Sequence, residues 1–319
     1  MAMKAVFLDY ATVGHDLDLG PLESQVSDLE LFDDTPDELI AERIVSADFV
    51  IANKVELTDR LLAGAPNLRF IGVTATGTDN IDTKSAQRLG IAVCNVRNYC
   101  TESVTEHVFG LLLMLTHNLH NYVAAVRAGA WQEAQNFCLL AFPIRELASM
   151  TMGIVGYGTL GRAVAEKARQ FGMTVIVSAR PGHGEVPDDR VSFDGLLEAS
   201  DVISLHCPLT EQTNALFGEA AFHAMKPDAL LINTARGGLV DAAALIAALD
   251  SGAIGGAAID VLSKEPPTEG DPLLDCANDN LIVTPHVAWA SKRARQNAVD
   301  EMAANIAAFL GGEERNRVV

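Results

Sequence analysis

The stretch TMGIVGYGTLG, Thr151 to Gly161, decides the fold. An apolar run suited to a buried strand meets three glycines, Gly156, Gly158 and Gly161, and an amphipathic stretch, 159–171, follows. In that setting each glycine has a physical role. Gly156 permits a tight turn, Gly158 lets the backbone approach a diphosphate, and Gly161 lets helix and strand pack closely. Thr159 and Leu160 open the helix, whose N-terminal N–H groups then face the anion. A glycine-rich turn without a ligand is the plain alternative, and the rest of the sheet weighs against it.

Working outward, further apolar runs follow: MTVIVS (173–178), VISL (202–205), ALLIN (229–233), GAAID (256–260) and LIVT (281–284). Helical stretches at about 159–171, 194–199, 218–225 and 241–251 lie between the first five strands. Six such strands fit a complete doubly wound parallel sheet. Upstream, AVFLD (5–9), FVIAN (49–53), FIGVTA (70–75) and IAVCNV (91–96) read as strands, with helical stretches at 37–45, 57–64 and 82–89. That is a second β-α-β series and a second parallel sheet. One long helical stretch, Glu102 to Arg127, joins the two, with Ser103 to Glu106 as part of its N-terminal cap. The last helix, about 290–310, has no partner strand and is expected to cross back to the first series. The expected domains are 1–98 plus 288–319, discontinuous, around a dinucleotide-binding domain at 99–287. The tail GGEERNRVV reads as frayed.

Composition bounds the function. The 319 residues leave room for two cores. A net charge of −19 disfavours nucleic acid and anionic membranes, so an anionic substrate needs a local positive site. No apolar run approaches the roughly 20 residues of a membrane span. The N-terminal MAMKAVFLDY reads as a strand, not a signal peptide. Five cysteines, at 94, 100, 138, 207 and 276, form no CxxC pair, which points to reduced thiols in a cytoplasm. No metal site is expected: His107, His117 and His120 lack matching acids and read as packing or surface residues.

The second strand of the glycine-turn sheet bears on the cofactor. A carboxylate near its end would bind a ribose 2′-hydroxyl, but VIVSARPG places Ala179 there, with Arg180 next. An arginine attracts a 2′-phosphate, and Ser178 is a candidate for an added hydrogen bond, so NADP is favoured over NAD. The alternative is a solvated Arg180 beside a less tightly held NAD. Other candidates for the cofactor are His206, Cys207 and Pro208 in LHCPLT, Thr213 beyond it, and Thr234 and Ala235 after the fourth strand. Cys207 has no evident basic partner, so a backbone role is favoured over a nucleophilic one.

Three further strand ends carry chemistry. LLINTARGGLVD brings Arg236, a fork matched to a carboxylate, to the end of the fourth strand. DVLSKEPP brings Asp260 and Glu265 beyond the fifth, and TPHVAWAS brings His286 beyond the sixth. A histidine suits acid–base work near neutral pH, and a neighbouring carboxylate favours its protonated form. Singly, each has a bland reading as a rim, cap or surface group; their convergence on one sheet edge argues against coincidence. In the first series, the backbone amides of Ala75, Thr76 and Gly77 in GVTATGTDNID are candidates to cradle a carboxylate, against an ordinary turn.

These blocks, in this order and over almost the whole length, resemble the D-isomer-specific 2-hydroxyacid dehydrogenases. GVTATGTDNID and the Trp of PHVAWAS look most like the hydroxypyruvate reductase, or glycerate dehydrogenase, branch. The resemblance implies an α/β protein with a flavodoxin-like substrate-binding domain and a Rossmann-type cofactor domain, a cleft between them, and a homodimer built on the cofactor domain. It implies that Arg236, Glu265 and His286 are catalytic and that Asp260 holds the nicotinamide carboxamide. The expected reaction is NAD(P)H-dependent reduction of a small 2-oxo acid, hydroxypyruvate or glyoxylate, and its reverse. Trp289, three residues after His286, is expected to favour short substrates, or else to pack the last helix. The absent acid at Ala179 departs from an NAD-specific pattern. Alternatives are another 2-hydroxyacid or phosphite dehydrogenase of the family, or a nucleotide-gated, corepressor-like binding protein.

Overall fold

Strands that are apolar from end to end, such as FVIA, FIGV, VISL and LLIN, suit a parallel sheet covered on both faces. In the computed structural model, which describes residues 3–180 and 186–319, those four are buried throughout. The chain forms two units, Met1–Cys100 with Trp289–Val319, and Thr101–Ala288.

The first unit holds β1 (Lys4–Phe7), β2 (Asp28–Leu31), β3 (Phe49–Ala52), β4 (Phe70–Val73) and β5 (Ala92–Asn95). All pair parallel, in the order β2-β1-β3-β4-β5, the flavodoxin-like arrangement. Between successive strands lie α1 (Gly20–Glu23), α2 (Asp37–Ile44), α3 (Asp59–Ala63) and α4 (Thr83–Leu89). The Asp82 carboxylate caps α4 by accepting from Ser85 N at 2.9 Å. β2 is absent from the sequence reading. It is a mostly exposed edge strand, DLEL, and lacks the apolar run that betrays its neighbours.

The second unit holds β6 (Thr151–Val155), β7 (Thr174–Val177), β8 (Val202–Leu205), β9 (Leu230–Asn233), β10 (Gly256–Ile259) and β11 (Leu281–Val283). They pair parallel in the order β11-β10-β9-β8-β6-β7. Outside β7 a single bridge, Ser178 with Val191, stands where a Rossmann sheet has its third strand. The unit's helices are α5 (Thr101–Thr116), α6 (Leu119–Arg127), α7 (Thr159–Gln170), α8 (Phe193–Ala199), α9 (Glu219–Ala224), α10 (Ala242–Asp250) and α11 (Pro272–Asp275). Phe217, Phe222, Leu231 and Leu245 lie in its core.

Three expectations are corrected here. The stretch 102–127 is two helices, α5 and α6, broken where Asn118 turns left-handed at φ +50° and its amide donates to Pro143 O at 2.7 Å. Ser103 does not cap: α5 begins at Thr101, and the Ser103 hydroxyl donates to Ala288 O at 2.7 Å. The C-terminal tail is not frayed. After α12 (Lys292–Leu310) it runs antiparallel along edge strand β5, with Val318 N donating to Val93 O at 2.8 Å and Asn95 N to Asn316 O at 3.2 Å. An open sheet edge offers unpaired backbone groups, and the tail satisfies them.

Candidate active site

The glycine turn is built by close backbone approach. Gly156 has φ +94°, and a Cβ there would stand 2.5 Å from Cys207 N and His206 C. The segments after β6 and β8 therefore meet backbone to backbone, and His206 N donates to Val155 O at 2.7 Å. A Cβ on Gly161 would collide with the Gly156 carbonyl. Gly158 is different: a Cβ there would meet no atom within 4 Å. The space at the start of α7, before the N–H groups of Thr159 and Leu160, suits a diphosphate. Thr234 Oγ1, just past β9, is buried without a hydrogen-bond partner, an atom that an incoming ligand would satisfy. These residues fit a dinucleotide.

At the end of β7, Ala179 is buried and Arg180 exposed. The Ser178 hydroxyl donates to Ala179 O at 2.6 Å. Arg190, which sequence reasoning missed, lies with its guanidinium 4.7 Å from the ring centroid of Tyr157, in the glycine turn. Residues 181–185 lie outside the described residues.

Three strand ends carry the groups expected to do the acid–base and anion-binding work. Beyond β9, the fully buried Asn233 organises the turn: its Oδ1 accepts from Ala235 N at 3.0 Å and its amide donates to Arg236 O at 2.8 Å. Arg236 Nη1 donates to Ala235 O at 2.8 Å. Gly237 follows because nothing larger fits: a Cβ would run into the backbone of Leu262 and Ser263, beyond β10. On that neighbouring segment Leu262 N donates to Glu265 Oε1 at 2.7 Å. Glu265 Oε2 lies 2.5 Å from His286 Nδ1. His286 sits past β11 with φ +54°, a conformation uncommon for a residue with a side chain.

Asp260, 1% exposed, clasps this segment. Its carboxylate accepts from Thr284 Oγ1 at 2.5 Å, Val287 N at 3.0 Å and Ala288 N at 2.9 Å. Its carbonyl accepts from His286 N at 2.7 Å. Asp260 thus has a structural duty that sequence reasoning did not assign. His107 Nε2 also lies 3.5 Å from Asp260 Oδ1.

Other candidates fall elsewhere. Thr213 Oγ1 donates to Pro208 O at 2.8 Å and accepts from Thr210 N at 2.8 Å, fastening its own loop. Burial pushes the Cys207 thiol up to about 11, which leaves it inert as a nucleophile, and does the same for Cys94 and Cys100. Ala75, Thr76 and Gly77 follow β4 in the first unit, where Thr76 Oγ1 donates to Val96 O at 3.0 Å and Asn95 Nδ2 to Thr76 O at 2.7 Å. Trp289, also in that unit, packs edge-on against Tyr99, ring centroids 6.2 Å apart. Among the described residues, no group of three or more acids, cysteines or histidines forms a metal site. None of their helices is long and apolar enough to cross a membrane.

Residues 109–288 match the family model described as D-isomer specific 2-hydroxyacid dehydrogenase, NAD binding domain. The chain is 45% identical to a glycerate dehydrogenase of Methylorubrum extorquens over 89% of each chain. It is 35% identical to a hydroxypyruvate reductase of Blautia hydrogenotrophica over 99% of each. Among solved structures it is similar to an acyclic imino acid reductase in complex with NADPH and D-Arg, at a TM-score of 0.87 and 30% identity, covering 99% of this chain and 100% of that one.

Proposed function

The chain belongs to the D-isomer-specific 2-hydroxyacid dehydrogenases, NAD(P)-dependent oxidoreductases, and on that premise we propose that it reduces hydroxypyruvate, and less well glyoxylate, to the D-2-hydroxy acid with NADPH. The observation that carries the reading is the Glu265–His286 pair, 2.5 Å apart, on the sheet edge that also bears Arg236. When bound, the reduced nicotinamide supplies a hydride to the carbonyl carbon. The guanidinium of Arg236 takes the substrate carboxylate as a planar anion. With Nδ1 committed to Glu265, Nε2 of His286 is the nitrogen that gives its proton to the carbonyl oxygen as that oxygen gains charge. Glu265 holds the ring in place and offsets the positive charge of the imidazolium. In the reverse direction His286 takes the hydroxyl proton.

Glycine-turn and strand-end residues would hold the dinucleotide: Gly156, Gly158, Thr159, Leu160 and Gly161 the diphosphate, Arg180 the 2′-phosphate. Asp260 would be the acceptor for the carboxamide N–H. Supporting NADPH is the pairing of Ala179 with Arg180 in place of a ribose-binding acid. We also infer a homodimer through the cofactor domain. What supports it is exposed apolar surface on α6 and the segment after it, including Val123, Trp131, Phe137 and Leu140, the last two 91% and 83% exposed. Five unpaired thiols suit a reducing cytoplasm.

The test is a matrix of NADH and NADPH against hydroxypyruvate, glyoxylate, pyruvate and phenylpyruvate. Hydroxypyruvate with NADPH should give the highest kcat/KM. Absence of turnover with every 2-oxo acid would favour a nucleotide-gated binding protein. In His286→Ala, cofactor binding should survive while turnover falls about 100- to 10,000-fold, the usual worth of a general acid.

A further inference from the structure

We propose that His107, on α5, is a positioning residue for the reaction, holding the turn that carries His286 through Thr284 and Asp260. The proposal rests on the reading of His286 as proton donor. Thr284 Oγ1 lies 2.5 Å from Asp260 Oδ1 and 3.1 Å from His107 Nε2. Asp260 also receives the amides of Val287 and Ala288, so its carboxylate serves as an acceptor of several donors. The Thr284 hydroxyl therefore donates to Asp260, and its oxygen accepts from His107 Nε2–H. The bonds form a directed chain, imidazole to hydroxyl to carboxylate, with His107 Nε2 also 3.5 Å from Asp260 Oδ1 and the carboxylate receiving amides from the segment just after His286.

His286 gains from this arrangement because its backbone is unusual. At φ +54° it needs neighbours that over-determine the turn. On one side, Thr284 N is held by Ile259 O at 2.9 Å and the Thr284 side chain by His107. On the other, Ala288 is held at its amide by Asp260 and at its carbonyl by the Ser103 hydroxyl, at 2.7 Å. Ser103 and His107 stand four residues apart on α5, hence one turn apart on one face. That face grips both flanks of His286. His107 touches neither Glu265 nor Arg236 through any of these bonds, so its effect on the chemistry passes through where His286 is held.

Three variants test this: His107→Leu, which removes the donor; His107→Gln, whose amide N–H reaches about the same point; and His286→Ala. His107→Leu should lower kcat about 10- to 100-fold, in line with the cost of misplacing a catalytic group by about an ångström. KM for hydroxypyruvate, and the Kd of NADPH read by fluorescence, should change less than about threefold, while the ring resonances of His286 shift. His107→Gln should recover most of kcat. A packing role alone would lower thermal stability without this kcat-specific loss, and Gln would not rescue it. The proposal is overturned if His107→Leu keeps kcat within threefold, if Gln is as slow as Leu, or if the His286 resonances do not move. Should His107→Leu not fold, Thr284→Val removes the middle link and must show the same kcat loss; unchanged kcat there overturns it too. Retained turnover in His286→Ala would instead refute the proton-donor reading, and the ring resonances would still report whether His107 positions that side chain.

Discussion

Gly237→Ala tests whether Arg236 owes its position to backbone contact between two strand-end loops. The perturbation is one methyl group. That methyl would sit at least about 1 Å inside ordinary van der Waals distance from Leu262 C, Leu262 O and Ser263 N. All three are backbone atoms, so no rotamer change relieves the overlap. The turn after β9 and the segment after β10 must part by about that much. Arg236 precedes the substituted residue, and Glu265 hangs from Leu262 N by a 2.7 Å bond. The displacement therefore changes the spacing of Arg236 against the Glu265–His286 pair. A misplacement of about 1 Å costs on the order of 100-fold in rate, so kcat/KM for hydroxypyruvate should fall by about that factor. Overpacking should also lower stability by about 1–3 kcal/mol. Steady-state kinetics, NADPH binding by fluorescence and thermal melting give the three readouts. Gly238→Ala is the control, because its Cβ would crowd the tip of the Leu209 side chain, at 2.9 Å, which can rotate away, and touch Asn214 Oδ1 at an ordinary 3.5 Å. Its kcat/KM should stay within about threefold of wild type. The reasoning is refuted if Gly237→Ala keeps its kcat/KM, or if both substitutions cost alike.

Gly158→Ala should leave the melting temperature nearly unchanged, since the fold has room there, yet weaken NADPH at least about tenfold, or 1.4 kcal/mol, because the methyl enters the diphosphate space; binding at wild-type strength would argue against the glycine turn as the diphosphate site. Arg180→Ala should weaken NADPH by about 1.5–3 kcal/mol, the worth of a charge-assisted hydrogen bond, with little effect on NADH. Equal losses for both cofactors would remove Arg180 from the 2′-phosphate site. Burial pushes His206 down to about 4, below its unfolded value of about 6.5, so the unfolded chain binds a proton in that window that the folded chain does not. Its contribution to stability is therefore present above about pH 6.5 and is lost as the pH falls toward 4, about 2 kcal/mol of it between pH 7 and 5. Denaturant titrations of wild type and His206→Gln should differ in slope over that range, and parallel curves would dismiss the effect.

What the sequence by itself determined is whatever a local pattern encodes. Continuous apolar runs marked nearly all the strands, because parallel strands covered on both faces leave no polar alternation to confuse them. Glycine spacing marked the turn after β6, since close backbone approach at Gly156 and Gly161 admits no other residue. Arg236, Glu265 and His286 were legible as chemistry stranded at strand ends. The tertiary structure decided what depends on partners far away in the chain. β2 is a polar edge, and its membership of the sheet comes from pairing with β1. The tail is ordered by the open edge of β5, more than 200 residues earlier. That the hydroxyls of Ser178 and Thr213 bond Ala179 O and Pro208 O is visible only in the fold. His107 read as a packing residue until Thr284, 177 residues on, came within reach of its ring. A hydroxyl or imidazole has the same donors and acceptors wherever it stands, and only the folded chain chooses which of them are satisfied, by what, and at what distance.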